Sequence, residues 1–559
     1  MLASSRAEVE AVNAPPAPRT DVRWWGWGDP KIETAAEERV RRLLESRGIP
    51  TGEPGEPPAI ESVSIPPARP IPAEVREAAG PGSLFVDHES RVRHSNGHSL
   101  ADLLARRSGV LASAPDAVVV ARTEEQVLGV LAAARDTDTA VIPFGGGTSV
   151  TGGLNPEPGR VTISLDTVGL DMAEIDPESG TAWLGAGLRG PEAERVLNRA
   201  GFTLGHFPQS WEYATIGGFA ATRSAGQASN GFGRFDEMVL GLRLVTPGGV
   251  MATPRVRHAS EGPSLTEAIL GSEGALGVIT AVEVRIAPIP ATSSEAWILP
   301  DFETGVELTR RMAQAGELPA LLRLSDRNET ELNVAMSGPG GVAGRLFGHY
   351  LRARGMGGGC LLLIGFEGRP EQNRADRATL TRMLRRAGGI SLGSGPSRSW
   401  RRNRYHGPYL REGLLDLGLV VETFETAAAW SGYLDAFARV RSRTEDALEA
   451  QGMEGEVLCH LSHAYRDAAS LYFTVVASPG PAGAIESWGA VKGAALDELR
   501  RMDLPVSHHH GIGRDHLDAL EARLDPAGVQ ALRGLKSALD PSGIMNPGCL
   551  IPESGLHTP

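Results

Sequence analysis

Cysteine and lysine are the scarcest side chains of this 559-residue chain, with three of each. The cysteines, Cys360, Cys459 and Cys549, lie far apart and form no Cys-x-x-Cys pair. A disulfide framework is therefore excluded, and a thiolate zinc or iron–sulfur site is not expected. So few thiols in so long a chain favour a reducing compartment such as the cytoplasm.

Long apolar runs and excess positive charge are missing as well. No uninterrupted stretch of 18 apolar residues occurs, and the first 18 residues lack a hydrophobic core. A membrane-spanning helix and a secretory signal are therefore not expected. The net charge is −13 without a basic patch to offset it, which argues against a nucleic-acid partner.

Composition and periodicity divide the chain into five segments. Residues 1–20 are rich in Ala and Pro and are expected to be disordered, and residues 21–111 form a helical and extended segment. Short apolar strands alternate with helices over residues 112–293, which predicts a mixed α+β domain. Longer helices alternate with strands over residues 294–505, which predicts a second α+β domain. Residues 506–559 form a C-terminal segment.

The predicted strands of the first α+β domain are short apolar runs bounded by turn residues. They are Ala117–Val120, Ala140–Pro143, Val161–Leu165, Thr181–Gly187, Val239–Thr246 and Gly277–Ile286.

Three glycine-rich stretches lie in this domain, at residues 143–153, 209–226 and 271–280. Consecutive glycines can turn backbone N–H groups toward a phosphate without any Lys or Arg. The first stretch matches neither G-x-G-x-x-G nor G-x-x-x-x-G-K-[ST], so the dinucleotide and P-loop interpretations fail. Alone it is equally compatible with a plain turn, whereas the three stretches in this order form a strong pattern.

The three stretches resemble the PCMH-type FAD-binding domain of the vanillyl-alcohol oxidase superfamily. The resemblance implies an α+β fold with an FAD-binding domain and an α+β cap, the first loop embracing the FAD pyrophosphate. Covalent members often carry a His in that loop, and this loop has none, so non-covalent FAD is expected. The residues implied for FAD are Pro143, Phe144, Gly145, Gly146, Gly147, Thr148, Ser149, Gln209, Ser210, Glu212, Tyr213, Thr215, Thr222, Arg223, Ser224, Ala225, Glu273, Gly274, Leu276, Gly277, Val278 and Ile279.

Three further stretches, Arg23–Gly28, Asp87–His94 and Pro143–Leu154, resemble the alkyldihydroxyacetonephosphate synthase family, which has bacterial relatives. That family exchanges the acyl chain of acyl-dihydroxyacetone phosphate for a long-chain alcohol in ether-lipid biosynthesis. The flavin serves there as a covalent platform without net redox change. The resemblance implies a bacterial transferase in the cytoplasm or at the membrane surface, with lipid substrates, a peripheral membrane contact and a homodimer.

The resemblance also implies the residues of the active site. Tyr472 precedes the triplet His508, His509 and His510 by the family's spacing, and it is the expected general acid/base. Leu471 and its alternating neighbours form one apolar face of a predicted strand, so Tyr472 points to the other face. Arg323 and Arg411 lie in matching motifs, and with the histidine triplet they are expected to bind the substrate phosphate. Neighbouring cations are expected to help Tyr472 act near neutral pH.

A metal site on the histidine triplet is not expected. Adjacent side chains of an extended chain diverge, so three neighbouring rings cannot bind one ion, although His460 and His463 could join them. His508 and His510 could share a face, and no carboxylate is evident beside them.

Two alternatives to a synthase follow from the same residues. FAD-dependent D-2-hydroxyacid dehydrogenases resemble the chain, but they carry a Gly-Asp-Gly-Asn segment between two His, and a later Glu-His-Gly. Here Leu461 and Ser462 follow His460 directly, His509 stands where the Glu is expected, and Tyr472 replaces an expected His. A non-catalytic flavin-binding subunit is the other alternative, and the presence of every expected site residue argues against it.

Overall fold

The computed structural model describes residues 17–32, 38–52, 55–256, 259–337 and 348–552. The predicted disordered tail thus lies mostly outside the described residues. The helices with defined bounds are Glu38–Ser46, Ala73–Ala79, His88–Arg93, Leu100–Ser108, Glu124–Asp136, Gly190–Arg199, Ile216–Thr222, Ser229–Phe232, Phe235–Met238, Leu265–Ile269, Phe302–Ala315, Arg327–Ser337, Pro370–Arg386, Gly395–Asn403, Gly407–Asp416, Tyr433–Ala450, Ala484–Arg501, Leu517–Arg523 and Pro526–Leu539. None of the helices in these ranges is both long and apolar enough to cross a bilayer.

Two sheets occupy the first half of the chain. Their strands are β1 Leu84–Phe85, β2 Ala117–Val120, β3 Ala140–Phe144, β4 Thr162–Asp166, β5 Ala173–Asp176, β6 Thr181–Gly185, β8 Val239–Thr246, β9 Gly249–Ala252 and β10 Val278–Arg285, and the short strand β7 Phe202–Thr203 lies outside both sheets. One sheet has the order β1-β2-β4-β3, with β2 and β3 parallel to β4. The other has the order β5-β6-β10-β8-β9 and is antiparallel.

A seven-stranded antiparallel sheet forms the second half. Its strands follow β11 Ala287–Pro288, which pairs with β7, and they are β12 Ala291–Leu299, β13 Leu321–Ser325, β14 Cys360–Gly368, β15 Ile390–Gly393, β16 Val420–Ala429, β17 Gly455–Leu461 and β18 Ala468–Ala477. The strand order is β15-β12-β14-β13-β17-β18-β16. Tyr472 thus lies on a strand with a hydrogen-bonded neighbour on each side.

The two faces of this sheet have different environments, because side chains alternate along a strand. Leu471, Phe473 and Val475 of β18 are fully buried in the main core, against helices such as Tyr433–Ala450. Tyr472, Thr474 and Val476 point the other way, into a cavity. The predicted orientation of Tyr472 is therefore confirmed.

The N-terminal segment of residues 17–32 crosses both halves of the molecule. Arg19 pairs with Glu192 at 3.0 Å in the first half, and the backbone N–H of Asp29 donates to the Tyr409 hydroxyl at 3.3 Å in the second. Trp27 is buried between the rings of His98 and Tyr213. The tryptophan-rich motif thus anchors this segment to the body of the protein.

The end of the chain returns to the glycine-rich loops. Met545 forms a parallel bridge with Val141. The Asn546 side-chain amide donates to the carbonyls of Gly153 at 2.9 Å and Glu273 at 2.7 Å. The first and third glycine-rich stretches are therefore joined through the C-terminal segment.

Candidate active site

A cavity of about 890 Å³ lies between the glycine-rich loops and the open face of the seven-stranded sheet. Most residues predicted to contact a cofactor line it, and so do five of the six predicted catalytic and substrate-binding residues. The lining residues from both predictions are Pro143, Phe144, Gly145, Gly146, Gly147, Thr148, Ser149, Gln209, Ser210, Thr215, Thr222, Ser224, Ala225, Glu273, Gly274, Gly277, Val278, Ile279, Arg323, Arg411, Tyr472, His509 and His510.

Four residues predicted to contact the cofactor, Glu212, Tyr213, Arg223 and Leu276, lie behind the wall of the cavity. The Tyr213 hydroxyl is 3.1 Å from that of Tyr409. Arg223 pairs with acidic groups away from the cavity, and Leu276 packs in a small core near the C-terminus. In this arrangement they support the loops, and a direct contact with a cofactor stays a prediction.

The first glycine-rich loop has the shape of an anion cradle. A Cβ on Gly146 would lie 2.1 Å from the Tyr213 carbonyl oxygen, and Gly147 has a φ of +68°, so both positions require glycine. Within the described residues, no acceptor takes the backbone N–H groups of Gly146, Gly147 and Thr148. Free N–H groups in such a turn fit the pyrophosphate of FAD.

Tyr472 lies at the centre of the sheet face that forms the cavity wall. Glu425 on β16 and His460 on β17 are its partners in register, and the His460 ring stacks on it at 4.6 Å between centroids. The His510 ring meets it edge-on at 5.4 Å. Burial raises the pKa of Tyr472 to about 12, so the neighbouring cations do not bring it toward neutrality.

Glu425 is the carboxylate that the sequence does not reveal beside the histidine triplet. Its oxygens accept the backbone N–H groups of His508 at 2.6 Å, His509 at 2.9 Å and His510 at 2.8 Å. The Ser507 hydroxyl donates to it at 2.8 Å. Burial alone would raise the pKa of Glu425, but the adjacent imidazoles hold it well below its usual range. A buried carboxylate thus fixes the backbone of the whole triplet.

The histidine rings lie at steep angles to their neighbours, but they do not all diverge as expected, because the Nδ1 atoms of His508 and His509 are 3.0 Å apart. His509 and His510 line the cavity, whereas His508 lies behind them with 4% of its side chain exposed. The donor atoms of His463, His508 and His509 all lie within 4.8 Å of one another, a spacing that could hold a metal ion. The ring nitrogens that lie close enough to share an ion thus belong to two members of the triplet and to the upstream His463.

Arg323 belongs to a compact ionic triad on the cavity wall. Its Nη2 donates to Glu329 Oε1 at 2.6 Å, and its Nη1 lies 3.1 Å from His460 Nε2. Burial alone would raise the pKa of Glu329, but Arg323 and His460 hold it well below its usual range. The guanidinium is therefore rigidly oriented before any substrate arrives.

Arg411 connects the second half to the first glycine-rich loop. It lies on the helix Gly407–Asp416, and its Nη2 donates to the His98 carbonyl at 3.0 Å. His98 in turn makes a 2.7 Å hydrogen bond to the Gly147 carbonyl. Arg411 thus lies near the predicted cofactor loop as well as in the substrate cavity.

Arg404 is a third arginine of the cavity wall, and no motif in the sequence indicates it. Its guanidinium lies over the Phe207 ring at 4.6 Å and the Tyr405 ring at 4.9 Å. Its Nε and Nη1 are buried with no hydrogen-bond partner among the described residues. A guanidinium so placed can bind an anionic group in the cavity.

Comparisons with known proteins agree with this geometry. Residues 115–253 match a family described as "FAD binding domain", and residues 290–550 match "FAD linked oxidases, C-terminal domain". Alkyldihydroxyacetonephosphate synthase of Trypanosoma brucei brucei is 30% identical, over 95% of this chain and 92% of that protein. The Caenorhabditis elegans enzyme of the same name is 31% identical, over 84% and 81%. A solved structure of an alkyldihydroxyacetonephosphate synthase superposes with a TM-score of 0.82 at 26% identity, covering 94% of this chain and 98% of that one.

Proposed function

The chain belongs to the alkyldihydroxyacetonephosphate synthase family, and we propose that it exchanges the acyl chain of acyl-dihydroxyacetone phosphate for a long-chain alcohol. One observation carries the proposal beyond the family likeness. Tyr472, His509, His510, Arg323 and Arg411 line a single cavity together with the glycine-rich loops.

FAD is the cofactor of this family, and the cradle of free N–H groups at Gly146–Thr148 fits its pyrophosphate. When bound, FAD supplies an electrophilic ring that can hold the carbon skeleton while one chain replaces the other. The loop of residues 145–153 has no His or Cys side chain for a covalent bond. We therefore propose that FAD is held non-covalently.

Tyr472 is the proposed acid/base group for the proton on C1, the substrate carbon next to the ketone. Its hydroxyl keeps its proton at neutral pH, because burial raises its pKa. Burial also lowers the pKa of His460 to about 4 and that of His510 to about 3, so both rings beside Tyr472 are neutral at physiological pH. Arg323, Arg411 and Arg404 are the proposed partners of the substrate phosphate.

An apolar extension of the cavity suits the hydrocarbon chains of both substrates. Aliphatic and aromatic side chains from β13, β14, β15 and the helix Gly395–Asn403 surround it. They are Leu321, Leu361, Leu363, Ile390, Leu392 and Trp400. Burial of a long chain against such a wall contributes about 0.8 kcal/mol per CH₂ group.

The proposed exchange is tested without oxygen and without an electron acceptor. Purified yellow protein is mixed with palmitoyl-dihydroxyacetone phosphate and labelled hexadecanol, and ether-linked product is sought. We expect labelled ether to form over many turnovers, with the flavin oxidised at the end. An FAD-linked oxidoreductase of D-2-hydroxy acids is the alternative, and it would form no ether but bleach the flavin when D-2-hydroxy acids are added.

We also propose that the protein docks on anionic lipid surfaces through the outer end of the apolar extension. Val334 and Tyr350 line the cavity and are 39% and 46% exposed. Although the whole chain is acidic, exposed arginines lie just after Tyr350 and on the helix Gly395–Asn403, which lines the apolar extension. They are Arg352, Arg354, Arg398 and Arg402. Apolar and cationic side chains side by side match a lipid interface. A homodimer, a bacterial source and a cytoplasmic location stay predictions.

The double variant Arg398→Glu/Arg402→Glu is expected to bind anionic vesicles at least ~30-fold more weakly, since each arginine near such a surface contributes about 1 kcal/mol. Vesicle sedimentation at low and physiological salt measures this. Arg385→Glu/Arg386→Glu, on the helix Pro370–Arg386, is the matched control and should bind as the wild type does. Equal losses in both double variants would mean that total charge, and not this surface, governs binding.

A further inference from the structure

The proposed exchange leaves one proton over in each turnover. The bond from C1 to the acyl oxygen breaks, the bond from C1 to the alkyl oxygen forms, and the fatty acid leaves as a carboxylate. The C1 proton is removed and returned, so the surplus is the hydroxyl proton of the alcohol. A proton released in a cavity between two domains needs a way to water. This inference rests on the proposed function.

A continuous series of hydrogen-bonding groups leads out of the cavity at His509. Its ring lines the cavity. Its Nδ1 is 3.0 Å from His508 Nδ1, behind the wall. The other nitrogen of that ring, His508 Nε2, is 2.7 Å from the Tyr465 hydroxyl. Each step is within hydrogen-bond distance, so the path needs no bridging water.

Tyr465 ends this series at a second cavity of about 660 Å³. Asn230, Glu237 and Arg285 line that cavity as well, and Glu237 is exposed to solvent. Tyr465 itself is half-buried, with His508 on one side and the second cavity on the other. Its hydroxyl is therefore placed between the buried imidazoles and water.

Fixed charges on both sides of His508 are compensated. Arg234 Nη1 lies 3.2 Å from His508 Nε2, and Asp236 pairs with Arg234 at 3.1 Å. On the cavity side, the Glu425 carboxylate lies 3.3 Å from His509 Nδ1 and 3.8 Å from His508 Nδ1. Asp236 thus offsets the positive charge of Arg234, and the buried Glu425 carboxylate favours a proton on the adjacent imidazoles.

We propose that His509, His508 and Tyr465 conduct the released proton from the active site to the second cavity. The alcohol proton is taken up at His509 Nε2, and the Nδ1 proton of that ring moves to His508 Nδ1. The Nε2 proton of His508 then moves to the Tyr465 oxygen, whose own proton passes to water. No oxidant or reductant is needed. Tyr465 acts through the two histidines and does not touch the substrate.

Tyr465→Phe tests the path, because it removes the hydroxyl and keeps the ring. We expect kcat for ether formation to fall about 100-fold, at the lower limit for loss of a proton-transfer group, with KM and FAD content unchanged. Imidazole added to the buffer should restore most of the rate, since it can accept the proton from His508 through the second cavity. The solvent deuterium isotope effect on kcat should rise as proton release becomes rate-limiting.

Tyr433→Phe is the matched control. The Tyr433 hydroxyl is buried on the core face of the sheet, donates to the Ser470 carbonyl at 2.8 Å and lies outside both cavities, so its loss should leave kcat unchanged. If Tyr465→Phe is poorly folded, Arg285→Trp narrows the second cavity and keeps the hydroxyl, and it should slow turnover with the same rise in isotope effect.

Three results would overturn the path. These are a wild-type rate in Tyr465→Phe, a loss of rate that imidazole does not restore, or a stoichiometric divalent metal in purified protein. A metal bound by His463, His508 and His509 would occupy the lone pairs that the proton uses. If the wild type forms no ether at all, the proposed function fails, which is a separate outcome.

Discussion

Tyr472→Phe is expected to lower the rate of ether formation by about 1000-fold while FAD stays bound. The variant keeps the ring that stacks on His460 and removes a hydroxyl whose ring contacts the rings of His509 and His510. Loss of a general acid/base group costs about 10²- to 10⁴-fold in rate. Steady-state kinetics with labelled hexadecanol measure the loss, and the flavin absorbance per protein measures cofactor retention.

Tyr433→Phe provides the comparison for Tyr472→Phe. The Tyr433 hydroxyl is fully buried on the core side of the same sheet and donates to the Ser470 carbonyl at 2.8 Å. Its loss should cost about 1 kcal/mol of unfolding free energy and leave the rate per folded molecule unchanged. Activity near the wild-type level in Tyr472→Phe would reject the assignment of Tyr472 as the acid/base group.

Glu425→Gln is expected to lower turnover at least ~100-fold and to reduce the unfolding free energy by about 3 kcal/mol. The carboxylate accepts three backbone N–H groups and the Ser507 hydroxyl, all as hydrogen bonds to a buried anion. Glutamine would turn an NH₂ group against some of these donors and remove the charge that favours the imidazoles. His509 and His510 would then lose their fixed positions. Chemical denaturation and kcat measure the two effects.

Glu331→Gln is the control for this charge removal. Glu331 is half-exposed and pairs with Arg47 and Arg327 away from the cavity, so its loss should change stability by less than about 1 kcal/mol. Wild-type turnover and stability in Glu425→Gln would show that the triplet is held by something other than this carboxylate.

The local sequence pattern was sufficient to predict the bounds of the elements with the clearest pattern of apolar residues. The strands predicted at Ala117–Val120 and Val239–Thr246 have those bounds in the structure, because each is an apolar run that ends at turn residues. The sheet face to which Tyr472 points could also be predicted, since the alternation of apolar and polar side chains along one strand is visible in the local sequence. The FAD-binding fold was implied by the resemblance of three glycine-rich stretches, taken together, to a known superfamily.

Long-range pairing was not accessible from the sequence. Glu425 reaches the triplet from 83 to 85 residues away, through the register of β16 against β18, which no local pattern specifies. Arg404 and Tyr465 stand in no recognisable motif, and their roles depend on which cavities their elements border. The position of His508 behind His509 depends likewise on the Glu425 anchor.

The two-faced sheet has a consequence for how this protein can evolve. In β18 every second position packs in the main core, whereas Tyr472, Thr474 and Val476 line the cavity. Selection for stability and selection for substrate preference therefore act on different residues of the same strand, so either property can be tuned by single substitutions without disturbing the other. An insertion or deletion of one residue within the strand would disturb both properties. It would exchange the core-facing and cavity-facing side chains and place Tyr472 in the core. Variation among natural descendants of this strand should thus consist of substitutions, with length changes confined to the loops at its ends.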